Sequence, residues 1–256
     1  MEVIPVYPIM TNLLPKACIK DIQKLQRNFI WGDSVEKKRY HAVSWDIVTK
    51  AKCNGGLGLR DLNLMNQFCI MKLGSKIING DDDLWCNIMR CKYKVEDNRG
   101  VLQEKRVNSN MWKAIVKTSP NLIDVGLWHI GEGNHIHPWT HSWTDRGKIF
   151  KDFNVAIHVE LAYYKLRDLV DIDGKWNWSL MAWILDDVKL KITIILPLLT
   201  GSGVDKLITA IDEEGNFAIG HLYKELTQDG NLERSKEWNL ICSCLSQRES
   251  GDSSGC

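Results

Sequence analysis

Gly55-Gly56-Leu57-Gly58-Leu59-Arg60-Asp61-Leu62 is the stretch on which the fold turns. Its glycine cluster looks like a loop that wraps a phosphate. A phosphate loop ends in Gly-Lys-Ser/Thr, so that backbone N–H groups and a lysine meet the anion together. Here Leu59-Arg60-Asp61 follows, and no lysine falls within the turn. A dinucleotide turn needs its glycines spread across a strand-to-helix junction, and Lys50-Ala51-Lys52-Cys53-Asn54 does not read as a buried strand. The glycines therefore read as a turn between helices, which directs the chain away from the nucleotide-binding α/β class.

Upstream, Pro15 suits the first turn of a helix. At ~100° per residue, Cys18, Ile22, Leu25 and Phe29 fall on one side and Lys16, Lys20, Lys24 and Arg27 on another, with Gly32 as the stop. A charged loop over 34–40 carries Lys37, Lys38 and Arg39, and a short helical segment over 45–51 leads into the glycines. Downstream, the pattern predicts helices over 62–78 and 84–92, the second opened by Asp81-Asp82-Asp83 where acids favour the N-terminal dipole. Residues 94–108 read as loop, and 111–116 as a short helix closing near Pro120. Residues 127–130 and 135–139 read as a β-hairpin, 151–190 as helix, 205–211 with 217–219 as a second hairpin, and 220–226 as helix.

The predicted class is α+β and mainly helical: N-terminal helices followed by two small β-hairpins interleaved with helices. The expected organisation is a helical region over 1–93, a loop-rich linker with a short helix over 94–120, and a hairpin-helix-hairpin-helix region over 121–229. The Ser-, Gly- and Cys-containing stretch over 230–256 has no periodicity and is expected to be disordered.

A chain of 256 residues with 44% hydrophobic and 25% charged side chains can bury a core. Its 11 Trp against 5 Phe predict several small cores built around single large rings. Net charge is only +1, but residues 1–60 hold a surplus of five cations, which leaves the remainder acidic. The start has no basic leader and carries Pro5, Pro8 and Pro15, and the apolar run over 192–199 is broken by Thr193 and Pro197. These features predict an intracellular protein, nuclear or cytoplasmic, with reduced cysteines and no membrane span.

His135, His137 and His141, with His129 nearby, are the first metal candidates, since imidazoles two apart on a strand share a face. Pro138 bends the backbone between them and no Cys or acid stands at ligand spacing, so hairpin histidines are the favoured reading. Cys242, Cys244 and Cys256 lack the two-residue gaps and following histidines of a zinc knuckle. Asp81-Asp82-Asp83 and Asp186-Asp187 are acidic runs at helix edges, without strand context to aim them at paired metal ions. No cofactor and no small-molecule substrate is implied. The basic face Lys16, Lys20, Lys24 and Arg27, extended by Lys37, Lys38 and Arg39, is the candidate site. Cations in such a row neutralise phosphates of RNA or DNA without reading sequence; the competing reading is an ordinary solvated face.

A wider pattern surrounds the glycine turn. Phe29-Ile30-Trp31-Gly32, His41-Ala42-Val43-Ser44-Trp45-Asp46 and the stretch from Lys52 to Leu62 stand in order before Leu84-Trp85, Lys92-Tyr93 and Ser109-Asn110-Met111-Trp112. Trp128-His129-Ile130-Gly131-Glu132-Gly133, Trp139, Trp143 and Gly174-Lys175-Trp176-Asn177-Trp178 follow, then Gly215-Asn216-Phe217-Ala218-Ile219 and Tyr223. Together they resemble the region downstream of the polymerase palm in plant non-LTR (LINE-type) retrotransposon reverse transcriptases, up to the start of the zinc-binding segment near Trp238. The resemblance implies thumb-like N-terminal helices beside a template–primer duplex. The family's polymerase acids, in a Tyr-x-Asp-Asp turn, and its cysteine/histidine segment have no counterpart here, so the resemblance implies a non-catalytic fragment that binds nucleic acid at most weakly and without sequence preference. At Thr209-Ala210 the family usually carries a Trp, a departure that fits a decayed copy. The alternative expectation is a structural or protein-interaction module.

Overall fold

The structure is a computed structural model that describes residues 6–34, 36–50, 52, 55–95, 102–145, 157–195, 203–210 and 217–228. In chain order it contains helices α1 (Val6–Thr11), α2 (Lys16–Trp31), α3 (Trp45–Val48), α4 (Leu62–Asn79), α5 (Leu84–Tyr93) and α6 (Asn110–Val125), then strand β1 (Leu127–His129). Two 3-10 turns, Val159–Leu161 and Leu166–Leu169, precede α7 (Asp186–Ile194), strand β2 (Lys206–Ile208) and α8 (Ile219–Gln228). The class is α+β and mainly helical. The described parts of Met1–Ile70 and Ala218–Cys256 form one compact unit, and those of Met71–Phe217 a second.

In the first unit the glycine turn closes the end of α3. Leu57 N–H donates to Val48 O at 3.0 Å and Gly58 N–H to Lys50 O at 2.9 Å. These donors are spent on carbonyls that the short helix leaves open, which is why no phosphate can claim them. Gly56 has to be glycine, since a Cβ there would stand 2.1 Å from Lys50 O. The turn delivers Asp61, whose Oδ1 accepts from Leu64 N–H at 2.9 Å and so caps α4. Asp61 N–H donates to the Tyr223 hydroxyl of α8 at 2.8 Å, and the Tyr223 ring meets Phe68 edge-on at 6.2 Å. Asn66 is 1% exposed and ties the α1–α2 connection to α4. Its amide donates to Ile9 O and Asn12 O, both at 2.7 Å, and its carbonyl accepts from Leu14 N–H at 2.9 Å.

Helix α2 ends at Gly32 in the left-handed conformation, φ 67°, as expected. Its buried side differs from the expected one. Ile19 is buried, whereas Cys18 is exposed and Leu25 and Phe29 are 65% and 66% exposed. Ile22, Gln23 and Gln26, half-buried, continue the line of Ile19. Apolar spacing locates a stripe, but packing covers whichever side meets another element, even where glutamines stand there.

In the second unit β1 and β2 pair antiparallel, with Leu127 opposite Ile208, Trp128 opposite Leu207 and His129 opposite Lys206. This corrects the first of the two expected hairpins: residues 135–139 are bends, turns and irregular backbone, and the first arms of the two expected hairpins pair with each other. The turn expected over 213–216 lies outside the described residues. A two-stranded ribbon is marginal unless its edges are covered. Asn79 covers one, accepting from Leu207 N–H at 2.7 Å and donating to Leu207 O at 3.1 Å, and Ser142 O covers the other by accepting from Trp128 N–H at 2.7 Å.

Two further expectations are corrected. Helix α6 runs through Pro120 instead of closing there. A proline leaves the carbonyl four residues back unbonded, and Ser119 Oγ donates to that group, Val116 O, at 2.9 Å. The long helix expected over 151–190 is, among the described residues, a run of turns until α7 begins at Asp186. Asp171 and Gly174 form a tight turn there, with Lys175 N–H on Asp171 Oδ1 at 2.8 Å, Gly174 at φ 78° and a bridge between Val170 and Trp176.

The expected tryptophan cores are present. Trp112, Trp128 and Trp139 are each 1% exposed, and Trp143 pairs with Trp176 at 5.7 Å between ring centroids. Indole N–H groups from Trp112, Trp139 and Trp143 donate to the carbonyls of Gln103, Leu161 and Pro138, so that these three rings are buried with their polar atoms bonded, whereas Trp128 Nε1 is buried without a partner.

Candidate nucleic-acid interface

The residues of the basic face lie as the helical period requires. Lys16, Lys20 and Lys24 are exposed and Arg27 is half-buried, the four sharing an arc of about 80° on α2. The acid of this helix, Asp21, stands outside that arc. The row spans about 16 Å, close to five base-pair steps of a duplex. Lys37, Lys38 and Arg39 are exposed on the loop after α2.

That loop is folded back on the end of the helix. Asp33 Oδ1 accepts from Arg39 N–H at 2.7 Å, and Asp33 Oδ2 meets His41 Nε2 at 2.9 Å. These two bonds, that of Arg39 first, hold the Asp33 carboxyl below its usual range. Ser34 and Lys37 exchange two further bonds at 3.0 Å, and the Arg39 side chain lies against Gly32. The structure thereby folds Arg39 back against the Gly32 cap of α2, while Lys16, Lys20 and Lys24 extend along the helix.

An aromatic cluster that spacing did not reveal sits at this end. Trp31 stacks on His41 at 4.9 Å, Trp45 lies 6.4 Å from Trp31, and the Arg27 guanidinium stands 5.9 Å over the Trp45 ring. Trp31 and Trp45 are 14 residues apart and, with His41, meet only because the loop returns. Cations beside half-buried rings are the chemistry that nucleic-acid backbones and bases use together.

Other candidates have structural employment. Asp83 precedes α5 and accepts from Lys76 Nζ at 2.6 Å, and Asp186 and Asp187 open α7. His135 N–H donates to Asp205, His137 N–H donates to His141 Nδ1 at 3.0 Å, and the His141 ring stacks on Trp128 at 4.7 Å. Among the described residues no three His, Cys, Asp or Glu side chains are placed to share a metal ion. Cys242, Cys244 and Cys256 lie outside the described residues.

Burial, then the charges of His137 and Lys165, lowers the His141 pKa to about 4, against a smaller opposing effect of Asp205. A histidine held neutral in the fold is protonated first in the unfolded chain, so its contribution is present above pH ~6.5 and is lost as pH falls toward ~4. Urea titrations of the second unit across that window are expected to show a loss of up to about 3 kcal/mol from this group. A His141→Gln chain is expected to lose less over the same window; an identical pH profile in both chains would rule His141 out as the source.

Two relatives in Arabidopsis thaliana are similar to this chain. A protein named "Putative ribonuclease H protein" is 28% identical over 231 residues, 88% of this chain but 37% of that protein. An uncharacterized mitochondrial protein is 28% identical over 142 residues, 55% of this chain and 92% of its own length. The chain thus spans little more than a third of the first relative. No protein-family profile and no solved structure matches. Among the described residues no helix is long and apolar enough to cross a membrane.

Proposed function

We propose that this chain is a non-catalytic segment of a reverse-transcriptase-type retroelement protein and holds RNA or DNA by its backbone, without sequence preference. The observation that carries the proposal is the row of exposed Lys16, Lys20 and Lys24 with half-buried Arg27, whose guanidinium stands over the Trp45 ring next to Trp31. The similarity over 231 residues to a protein named for ribonuclease H supports a nucleic-acid setting.

Four phosphate contacts give an affinity that falls with a log–log salt slope of about −3, or about sixty-fold between ~50 and ~200 mM salt. Filter-binding titrations of a mixed-sequence oligonucleotide at those two concentrations are expected to show that fall. Exchange of Lys16, Lys20, Lys24 and Arg27 for alanine is expected to flatten it. Salt-indifferent affinity, or an unaltered quadruple variant, would remove the proposal. Primer extension or hybrid-strand cleavage by the purified chain, abolished by chelation, would remove its non-catalytic part.

Exposed Cys18, Leu25 and Phe29 on another side of α2 favour a second reading, a protein-interaction module. Under that reading, pulled-down partners survive nuclease treatment and are lost on Leu25→Glu with Phe29→Glu.

A further inference from the structure

The second unit contains a cavity of about 820 Å³ into which residues from four separate stretches converge. Lys92 and Lys94 come from the end of α5, Lys105 from the loop before α6, and Lys165 from the 3-10 region, while His137 and His141 form part of the wall. Among the described residues no carboxylate lines it. Four lysines along one lining raise the positive potential of that space, which favours an anion there.

Two local features point the same way. Lys94 adopts the left-handed conformation, φ 50° and ψ 52°, at the C-cap of α5, and among the described residues it is the sole non-glycine with positive φ. Glycine is the low-cost residue at that position, so the strain keeps a lysine at the cavity. In addition, His137 Nδ1 is buried without a hydrogen-bond partner. Burial first, and the charge of Lys165 among the remaining causes, lowers the pKa of both His137 and His141, so the lysines carry the charge of the cavity at neutral pH.

We infer that this cavity is a binding site for two or more adjacent phosphates, carried by a free polyphosphate or by consecutive positions of a nucleic-acid strand. Its volume falls within the range of small-ligand sites and exceeds what one phosphate fills. The four lysines supply point charges, as phosphate-binding lysines do. The site uses none of the α2 residues, and the inference stands apart from the function proposed above.

The test is isothermal titration of the full chain with sodium tripolyphosphate at low ionic strength. One site per chain is expected. Lys105→Gln and Lys165→Gln are each expected to weaken binding about tenfold, whereas the α2 quadruple alanine variant leaves it unchanged. Lys94→Gly separates binding from folding: the strain is relieved, so the thermal midpoint holds or rises while affinity drops. Competition by a short single-stranded oligonucleotide identifies the strand as the source of the phosphates; its failure to compete identifies a free polyphosphate. Absence of binding to the parent chain, or full affinity in the Lys94→Gly and Lys165→Gln chains, would overturn the inference.

Discussion

Replacing Asp205 with alanine is expected to unfold the second unit at far lower urea concentration, with a loss of about 4–5 kcal/mol. Asp205 is 1% exposed and its carboxylate is encircled by backbone donors. Oδ1 accepts from Gly131 N–H and Gly133 N–H, and Oδ2 from His135 N–H, all at 2.8 Å. Alternate N–H groups turned inward form an anion-binding pocket akin to a backbone nest, here filled by the chain's own carboxylate. Alanine would leave the three donors buried without their acceptor. Asp205→Asn is expected to cost about half as much, because one oxygen survives while the new NH₂ faces a donor. The cost is expected to be shared with the glycines: a Cβ on Gly131 would stand 2.3 Å from Gly203 O, and Gly133 has φ 72°. Tryptophan fluorescence during urea titration reads these changes, since Trp128 lies in the adjoining strand. A loss under about 1 kcal/mol for Asp205→Ala would show that water replaces the carboxylate in the nest, contrary to the burial argument.

Asn66→Ala is expected to cost about 3–4 kcal/mol in the first unit, and Asn66→Asp at least as much. The alanine variant abandons three buried bonds, two donated by the amide and one accepted. The aspartate variant keeps the acceptor for Leu14 N–H but turns carboxylate oxygen toward Ile9 O and Asn12 O, placing acceptor against acceptor. Hydrogen exchange at α1 and the start of α2 checks this, because the segment loses its tie to α4. An aspartate variant as stable as the parent would refute the assignment of amide nitrogen and oxygen.

Local chemistry was legible where neighbouring residues alone supply the physics. Gly32 ends α2 because it tolerates positive φ. The glycine turn was readable as a non-phosphate loop because the missing lysine is visible in the chain, while the destination of its N–H groups was not. Pro120 misled for a related reason: the residue that repairs the broken bond, Ser119, acts through a hydroxyl whose direction no periodicity reports.

The cationic row was visible because residues three and four apart on one helix are neighbours by construction. The Trp31–His41–Trp45 cluster and the lysine cavity were not, since they join stretches separated by loops. Strand pairing shows the same divide. Residues 127–130 and 205–211 each read as extended segments, and adjacency in the chain suggested a hairpin for each. The pairing of β1 with β2 instead follows from Asp205 gripping the 131–135 loop and Asn79 bonding the outer edge of β2. Helix ends, turns and the charged face thus follow from short-range sterics and side-chain reach, which any fold would respect. Which flank of α2 is covered, which strands meet and where lysines converge depend on contacts between distant residues, and those exist only once the chain has closed on itself.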